Sequence, residues 1–427
     1  MTTQSLFTLV VVLAAATLAP MICRLLRRVL SIPVVVMDLL LGIIIGPGLL
    51  GLATSNAILA GLAAIGVWFL FFAAGYETDF ISVKDRLGIA SGAWLICLLL
   101  AVGAGFIIGG FLPDAATSQF VSAVFIGGAL VSTGLGTMLP MMRDANQITT
   151  RVGKAVISSG VVGQFAPQIA IGILVGHANP AAAMPYHQPL LALGLHLLFF
   201  VLVGGLIWGI SRFGIPPFMM RIQSATLDTG AQWAVIFQVA LCLTFVFIGE
   251  LLGVDRAIGA FGAGLLSRAL MQHIPQHERV IIDRKTKAVE YGVFLPIFFI
   301  NAGLTFDLPG LLAQPAAFAL IPVFFILKLI IRGLPGSATL ERPSSWRERV
   351  SVTMLVGTGL AAVILISNIG LEAGAISSTT AAALIGAAML SALIFPTIAL
   401  NLANSDPANQ SIPVDTEYLP EPSFTAQ

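Results

Sequence analysis

GGALVSTGLGTMLP, residues 127–140, places four glycines around Ser132 and Thr133 in the middle of an apolar stretch. A second stretch, VGTGLAAVILISN at residues 356–368, holds Thr358 between two glycines in the same way. Glycine and hydroxyl clusters let a membrane helix unwind and free backbone carbonyls toward an ion or substrate. Corresponding interruptions in the two halves of a chain therefore predict a transporter site, with close helix packing through small residues as the alternative.

The composition around these stretches is that of a polytopic membrane protein. Of 427 residues, 57% are hydrophobic and 10% are charged, against about 45–50% and about 25% in soluble domains. The 43 glycines and 23 prolines then indicate close helix packing and broken helices. The three cysteines show no paired or metal-ligand spacing, so the sequence predicts no metal, cofactor or redox centre. A net charge of +1 without a basic run predicts no nucleic-acid partner.

A membrane-spanning helix needs about 20 mainly apolar residues. Thirteen stretches meet or approach this length, although the ninth and tenth are short and leave a count of twelve open. Their approximate limits are 5–23, 33–50, 57–76, 87–111, 118–139, 155–175, 188–210, 232–252, 257–271, 288–304, 313–331, 350–369 and 374–400.

The distribution of basic residues predicts the orientation. Nineteen of the 21 Lys and Arg residues fall at the inner ends of the spans when the amino terminus is placed outside. This favours an odd number of spans, a cytoplasmic carboxyl terminus and a location in the cell (inner) membrane. Residues 1–400 are predicted to form the membrane domain, and the polar, Pro-rich residues 401–427 a disordered cytoplasmic tail.

Basic side chains inside a span need an explanation, because each costs about 2.5–3.5 kcal/mol on insertion scales. FFILKLIIRGLP, residues 324–335, contains Lys328 and, four residues later, Arg332. Lys328 either extends to the lipid headgroups or is a buried amine that lines an ion path. For Arg332, extension to the headgroups is predicted.

The central span contains amides where acids are expected. SSGVVGQFAPQI, residues 158–169, carries Gln164 and Gln168, and the chain has no acid between Asp144 and Asp228. Gln164 and Gln168 share one helix face with Gly160, so they are predicted to present neutral oxygens to a cavity. Hydrogen bonding between helices is the alternative.

Two acids, Asp38 and Glu250, lie within apolar spans, with Glu250 near an outer end. Four other acids lie nearer the interfaces and are predicted to be solvated: Asp79, Glu290, Asp307 and Glu372.

Four segments resemble, in order, recurring segments of the monovalent cation:proton antiporter (sodium/hydrogen exchanger) superfamily. They are LLLGIIIGPGLLG at 39–51, FLFFAAGYETDF at 69–80, GELLGVDRAIGAFGAGLLSR at 249–268 and VFLPIFFINAGLTFDL at 293–308. The resemblance implies an all-α fold with an inverted repeat, in which a core domain and a scaffold domain are joined and two broken helices cross. It also implies a homodimer, a basic core residue at Lys328, and scaffold acids at Asp38 and Glu250.

The sequence departs from this family at one position. Members generally carry an essential aspartate on the sixth helix, where this chain has Gln164 or, with a shift of one residue, Phe165. A carboxylate couples exchange because it holds either a proton or a cation, whereas a glutamine amide cannot titrate.

Three functions follow from these observations, and none is enzymatic, because no nucleophile and base pair is apparent. The first is a secondary antiporter of Na⁺ or K⁺ against protons, working by alternating access with atypical coupling. In it Lys328 titrates, while Gln164, Gln168, Ser132, Thr133 and Thr358 supply neutral oxygens. The alternatives are a proton-coupled transporter of an organic anion and a non-transporting membrane receptor or assembly subunit.

Overall fold

The computed structural model describes residues 3–26, 32–78, 80–109, 119–178, 189–215, 217–226, 232–254 and 256–406. Within these ranges the chain is nearly all helical. Its α-helices are Thr3–Leu26 (α1), Val34–Ile45 (α2), Ala57–Glu77 (α3), Phe80–Gly109 (α4), Gln119–Val131 (α5), Leu135–Asp144 (α6), Arg151–Ala178 (α7), Pro189–Phe213 (α8), Pro217–Thr226 (α9), Trp233–Leu251 (α10), Arg256–Met271 (α11), Gln276–Val289 (α12), Leu295–Leu304 (α13), Leu308–Ala313 (α14), Pro315–Leu327 (α15), Leu334–Gly336 (α16), Trp346–Gly357 (α17), Leu360–Glu372 (α18) and Ser378–Asn404 (α19).

Two π-helical turns extend these helices. Glu290–Phe294 joins α12 to α13, and Lys328–Gly333 joins α15 to α16, which a 3₁₀ turn at Ser337–Thr339 follows. Such turns often mark functional sites in α-helices.

Eight helices or continuous helical runs of the described residues are long and apolar enough to cross a membrane. Val34–Ile45, Gln119–Val131 and Leu197–Phe213 are shorter apolar helices. The predicted count of thirteen spans is compatible with this arrangement and stays a prediction.

Both predicted interruptions are present. Residues 132–134 separate α5 from α6, and residues 358–359 separate α17 from α18. At 13 and 10 residues, α5 and α6 are each too short to cross a bilayer alone. Together they cover the length that the sequence assigned to one span.

The helices pack in two groups. The first group contains α1, α2, α3, α10, α11 and α13, and the second contains α4, α5, α7, α15, α17, α18 and α19. In the first group α2 and α13 approach so closely that a Cβ on Gly303 would lie 2.7 Å from the Cα of Gly42. Small residues allow this contact between helix backbones. The family resemblance assigns predicted spans 4 to 6 and 11 to 13 to the core, and the second group contains helices from each of those spans.

Helix α19 continues to Asn404, four residues past the predicted boundary at residue 400. Residues 407–427, most of the predicted tail, lie outside the described ranges. The predicted division at residue 400 therefore stays a prediction.

Candidate functional site

The two helix breaks lie against each other, and we call this place the crossing: residues 132–134 and 358–359. The amide of Gly134 donates to the carbonyl of Thr358 at 3.0 Å. The Thr133 hydroxyl donates to the carbonyl of Val356 at 2.9 Å, and its amide donates to the carbonyl of Gly163 in α7 at 2.9 Å. Hydrogen bonds between unwound backbone segments satisfy groups that lipid could not.

Lys328 reaches this crossing from the π-helical turn after α15. Its side chain is 2% exposed. The ammonium donates to the carbonyl of Ser132 at 2.8 Å and to that of Ala129 at 3.2 Å. These carbonyls lie at the carboxyl end of α5, where a helix carries a partial negative charge. The positive charge is therefore held by oxygens of the kind that replace the hydration shell of a monovalent cation.

Arg332 is the main residue that the sequence misplaces. The predicted extension to the headgroups is wrong, because the side chain is completely buried. Its Nε donates to the hydroxyl of Thr133 at 2.8 Å. Its Nη2 donates to the carbonyl and hydroxyl oxygens of Ser159 at 2.6 and 3.1 Å. Arg332 thus connects α7 to the unwound segment between α5 and α6.

Gln164 also contacts the crossing, and it is completely buried. Its Oε1 accepts from the amide of Leu135, the first residue of α6, at 2.6 Å. Its Nε2 has no hydrogen-bond partner among the described residues. Gly160, one turn earlier, packs against the Leu135 side chain. The side chain of Gln168 lies outside the described part of the chain, so its predicted place beside Gln164 stays a prediction.

The hydroxyl side chains of the crossing bind mainly to backbone. The Ser132 hydroxyl donates to Ala129 at 2.8 Å, and the Thr358 hydroxyl donates to Met354 at 3.2 Å. Ser132 thus contacts the Lys328 ammonium through its carbonyl oxygen.

The two acids predicted within the spans, Asp38 and Glu250, do not bond to the basic residues at the crossing. Asp38 is 1% exposed in α2, and its Oδ1 has no partner among the described residues. Glu250, in the last turn of α10, is an exposed acid that pairs with Arg256 through two contacts of 2.6 Å. Neither acid bonds to Lys328 or Arg332.

One of the four acids predicted to be solvated is buried. Glu290 is 2% exposed, so its prediction is wrong. Glu372 is exposed, as predicted, whereas Asp307 is half-buried and accepts from the Gly310 amide at 2.9 Å. Asp79 lies outside the described residues.

Gly163 tests the packing of the crossing. A Cβ at this position would collide with the guanidinium of Arg332 and lie 2.7 Å from the Thr133 hydroxyl. Gly163→Ala is therefore expected to lower the free energy of unfolding by about 1–3 kcal/mol, as overpacking does. Thermal unfolding of the purified protein in detergent measures the change. Gly92→Ala is the matched control, since a Cβ there meets open space. Equal midpoints for the two variants would show that this contact is loose.

Comparison with known proteins shows which family the chain resembles. The family model described as sodium/hydrogen exchanger, transmembrane, matches residues 13–400. The chain is 26% identical over 372 residues to a Na⁺/H⁺ antiporter of Enterococcus hirae, covering 87% of this chain and 92% of that protein. It is 24% identical over 376 residues to the Na⁺/H⁺-K⁺ antiporter GerN of Bacillus cereus, covering 85% and 88%.

A solved structure resembles the whole chain. It is the sodium proton antiporter MjNhaP1 of Methanocaldococcus jannaschii at pH 8, with a TM-score of 0.64 and 15% identity. The match covers 94% of this chain and 97% of that chain. At this identity the likeness concerns the fold, and it confirms the fold class that the sequence predicts.

Proposed function

Because the chain belongs to the sodium/hydrogen exchanger family, a family of transporters and not of enzymes, we propose that it exchanges a monovalent cation for a proton by alternating access. Its relatives in Enterococcus hirae and Bacillus cereus carry the names of Na⁺/H⁺ and Na⁺/H⁺-K⁺ antiporters. The cation proposed for this chain is accordingly Na⁺ or K⁺.

One observation carries the proposal: the Lys328 ammonium donates hydrogen bonds to the carbonyl oxygens of Ala129 and Ser132. A dehydrated Na⁺ or K⁺ is bound by the same kind of oxygen. Two unit charges 4 Å apart repel by roughly 4 kcal/mol at an effective dielectric constant of 20. A cation therefore binds there only after Lys328 has released its proton and become a neutral amine.

This competition couples the two fluxes without a carboxylate. On one side of the membrane the amine gives up a proton and the cation takes its place on the carbonyls. The core helices then move against the scaffold helices, the cation leaves on the other side, and the amine takes up a proton there. The crossing has the same charge in both states, so one cation is exchanged for one proton without net charge movement.

Flux measurements in proteoliposomes test the proposal. An inward gradient of Na⁺ or K⁺ is expected to drive protons out of the vesicles. Solid-supported-membrane electrophysiology on the same vesicles is expected to record no transport current, since the exchange is electroneutral. Protein-free vesicles are the control. If neither cation drives proton movement but organic anions do, the protein is a proton-coupled transporter of an organic anion. That result would contradict this proposal.

The predicted homodimer, the cytoplasmic carboxyl terminus and the cell membrane location belong to the same proposal. They rest on the family resemblance and on the distribution of basic residues in the sequence.

A further inference from the structure

Two buried basic side chains, Lys328 and Arg332, contact the crossing, and the hydrogen-bond partners of both are neutral. Among the described residues, Lys328 bonds only to two carbonyls. Arg332 bonds to Thr133, to Ser159 and, at 3.9 Å, to the Cys97 sulfur. Removing a charge from water costs several kcal/mol unless an opposite charge accompanies it. The two groups lie four residues apart on one helical turn, so each also repels the other.

Counted over the described residues, the side chains of Lys328, Arg332 and Gln164 have more hydrogen-bond donors than acceptors to pair with them. An ammonium has three N–H groups and Lys328 uses two of them. On Arg332, the only partner of Nη1 within the described ranges is the Cys97 sulfur, at 3.9 Å. The two N–H groups of Gln164 Nε2 have no acceptor in the part of the chain that the structure describes, although the side chain is completely buried. Buried donors are normally paired, so these donors indicate a missing acceptor.

Residues 132–135 contact all three side chains, those of Lys328, Arg332 and Gln164. Ser132 bonds to Lys328, Thr133 to Arg332, and Leu135 to Gln164. Leu135 is also the first residue of α6, a ten-residue helix whose amino end carries a partial positive charge. An acceptor at this point would therefore interact with a helix dipole and with two full charges of the same sign.

We propose that a small monovalent anion binds at the start of α6, where Gln164 and Arg332 donate hydrogen bonds to it and Lys328 attracts it by charge. The anion is a stationary counter-ion, so this inference goes beyond the proposed exchange and does not depend on it. A halide or a short carboxylate has the required charge and acceptor atoms. Bound water would satisfy the free donors and leave the charge uncompensated.

Unfolding measurements on the full-length protein in detergent test the inference. The probes are sodium chloride, sodium acetate and sodium gluconate at equal sodium concentration and ionic strength. Relative to gluconate, chloride or acetate is expected to raise the unfolding midpoint with the logarithm of its concentration above the dissociation constant, by about 5 °C at a hundredfold excess. The stronger of the two responses identifies a halide or a carboxylate as the ligand. Identical midpoints in all three salts would overturn the inference and indicate water at this place.

A substitution locates the site. Gln164→Glu places a carboxylate where the unpaired amide lies, so this internal anion is expected to remove most of the salt response. Gln272→Glu is the matched control, because Gln272 is exposed, and it is expected to respond like the unmodified protein. A full response in Gln164→Glu would place the anion elsewhere and overturn the inference. Cation flux, measured after the same proteins are reconstituted into proteoliposomes, separates the two ideas, since a protein can exchange cations without a salt response, or show the response without exchange.

Discussion

Lys328→Arg is expected to abolish cation-driven proton exchange in proteoliposomes. Arginine keeps the positive charge and can still donate to the carbonyls at the end of α5, but it does not release its proton. A free arginine side chain has a pKa at least about two units above that of lysine, so the neutral form is at least about 100-fold rarer. The initial rate of exchange is expected to fall by at least that factor.

Two further variants make this result specific. Lys154→Arg is the matched control, because Lys154 is exposed at the beginning of α7, and it is expected to exchange at the normal rate. Lys328→Met removes the proton site, so cation movement that remains in this variant should no longer carry protons in the opposite direction. Normal exchange by Lys328→Arg would show that another group carries the proton. Elution of each variant as a single species confirms that it has folded.

Arg332→Met is expected to give the largest loss of stability. The change removes three hydrogen bonds from a charged donor and leaves buried oxygens of Thr133 and Ser159 without their partner. Bonds to charged groups contribute about 1.5–3 kcal/mol each, and relief of the repulsion from Lys328 offsets part of the sum. A loss of about 3 kcal/mol is expected, measured by thermal or denaturant unfolding in detergent.

Arg349→Met is the control for this prediction. Arg349 is exposed and bonds to the Ser344 hydroxyl at 2.9 Å. Exposed substitutions usually change stability by less than about 0.5 kcal/mol. If Arg332→Met unfolds at the same midpoint as Arg349→Met, the guanidinium does not connect α7 to the crossing in the way described.

The sequence predicts much of the crossing because local composition determines it. Glycine and hydroxyl clusters at residues 127–140 and 356–368 indicate the helix breaks, and both breaks are present. The cost of a charge at membrane depth marks Lys328 as a group that needs an explanation, and the structure buries it. These features depend on residue type and spacing, which one sequence contains.

Arg332 and Glu290 could not be placed correctly from the same information. Both were assigned to the inner ends of spans, where side chains reach water or headgroups. In the structure each lies inside a longer helical run, because a π-helical turn continues the helix on both sides of it. Burial then follows from contacts with distant segments, such as Ser159 for Arg332. The four-residue spacing between Lys328 and Arg332 was the available signal that both reach one site.

The pH dependence of the apparent cation affinity tests the proposed competition most directly. If one cation and one proton exclude each other at the Lys328 amine, the apparent affinity for Na⁺ or K⁺ rises by about tenfold per pH unit while the amine is protonated, and then reaches a plateau. We predict this rise for the unmodified protein and no measurable cation binding for Lys328→Arg. An affinity that stays constant with pH, or that remains normal in Lys328→Arg, would contradict the account.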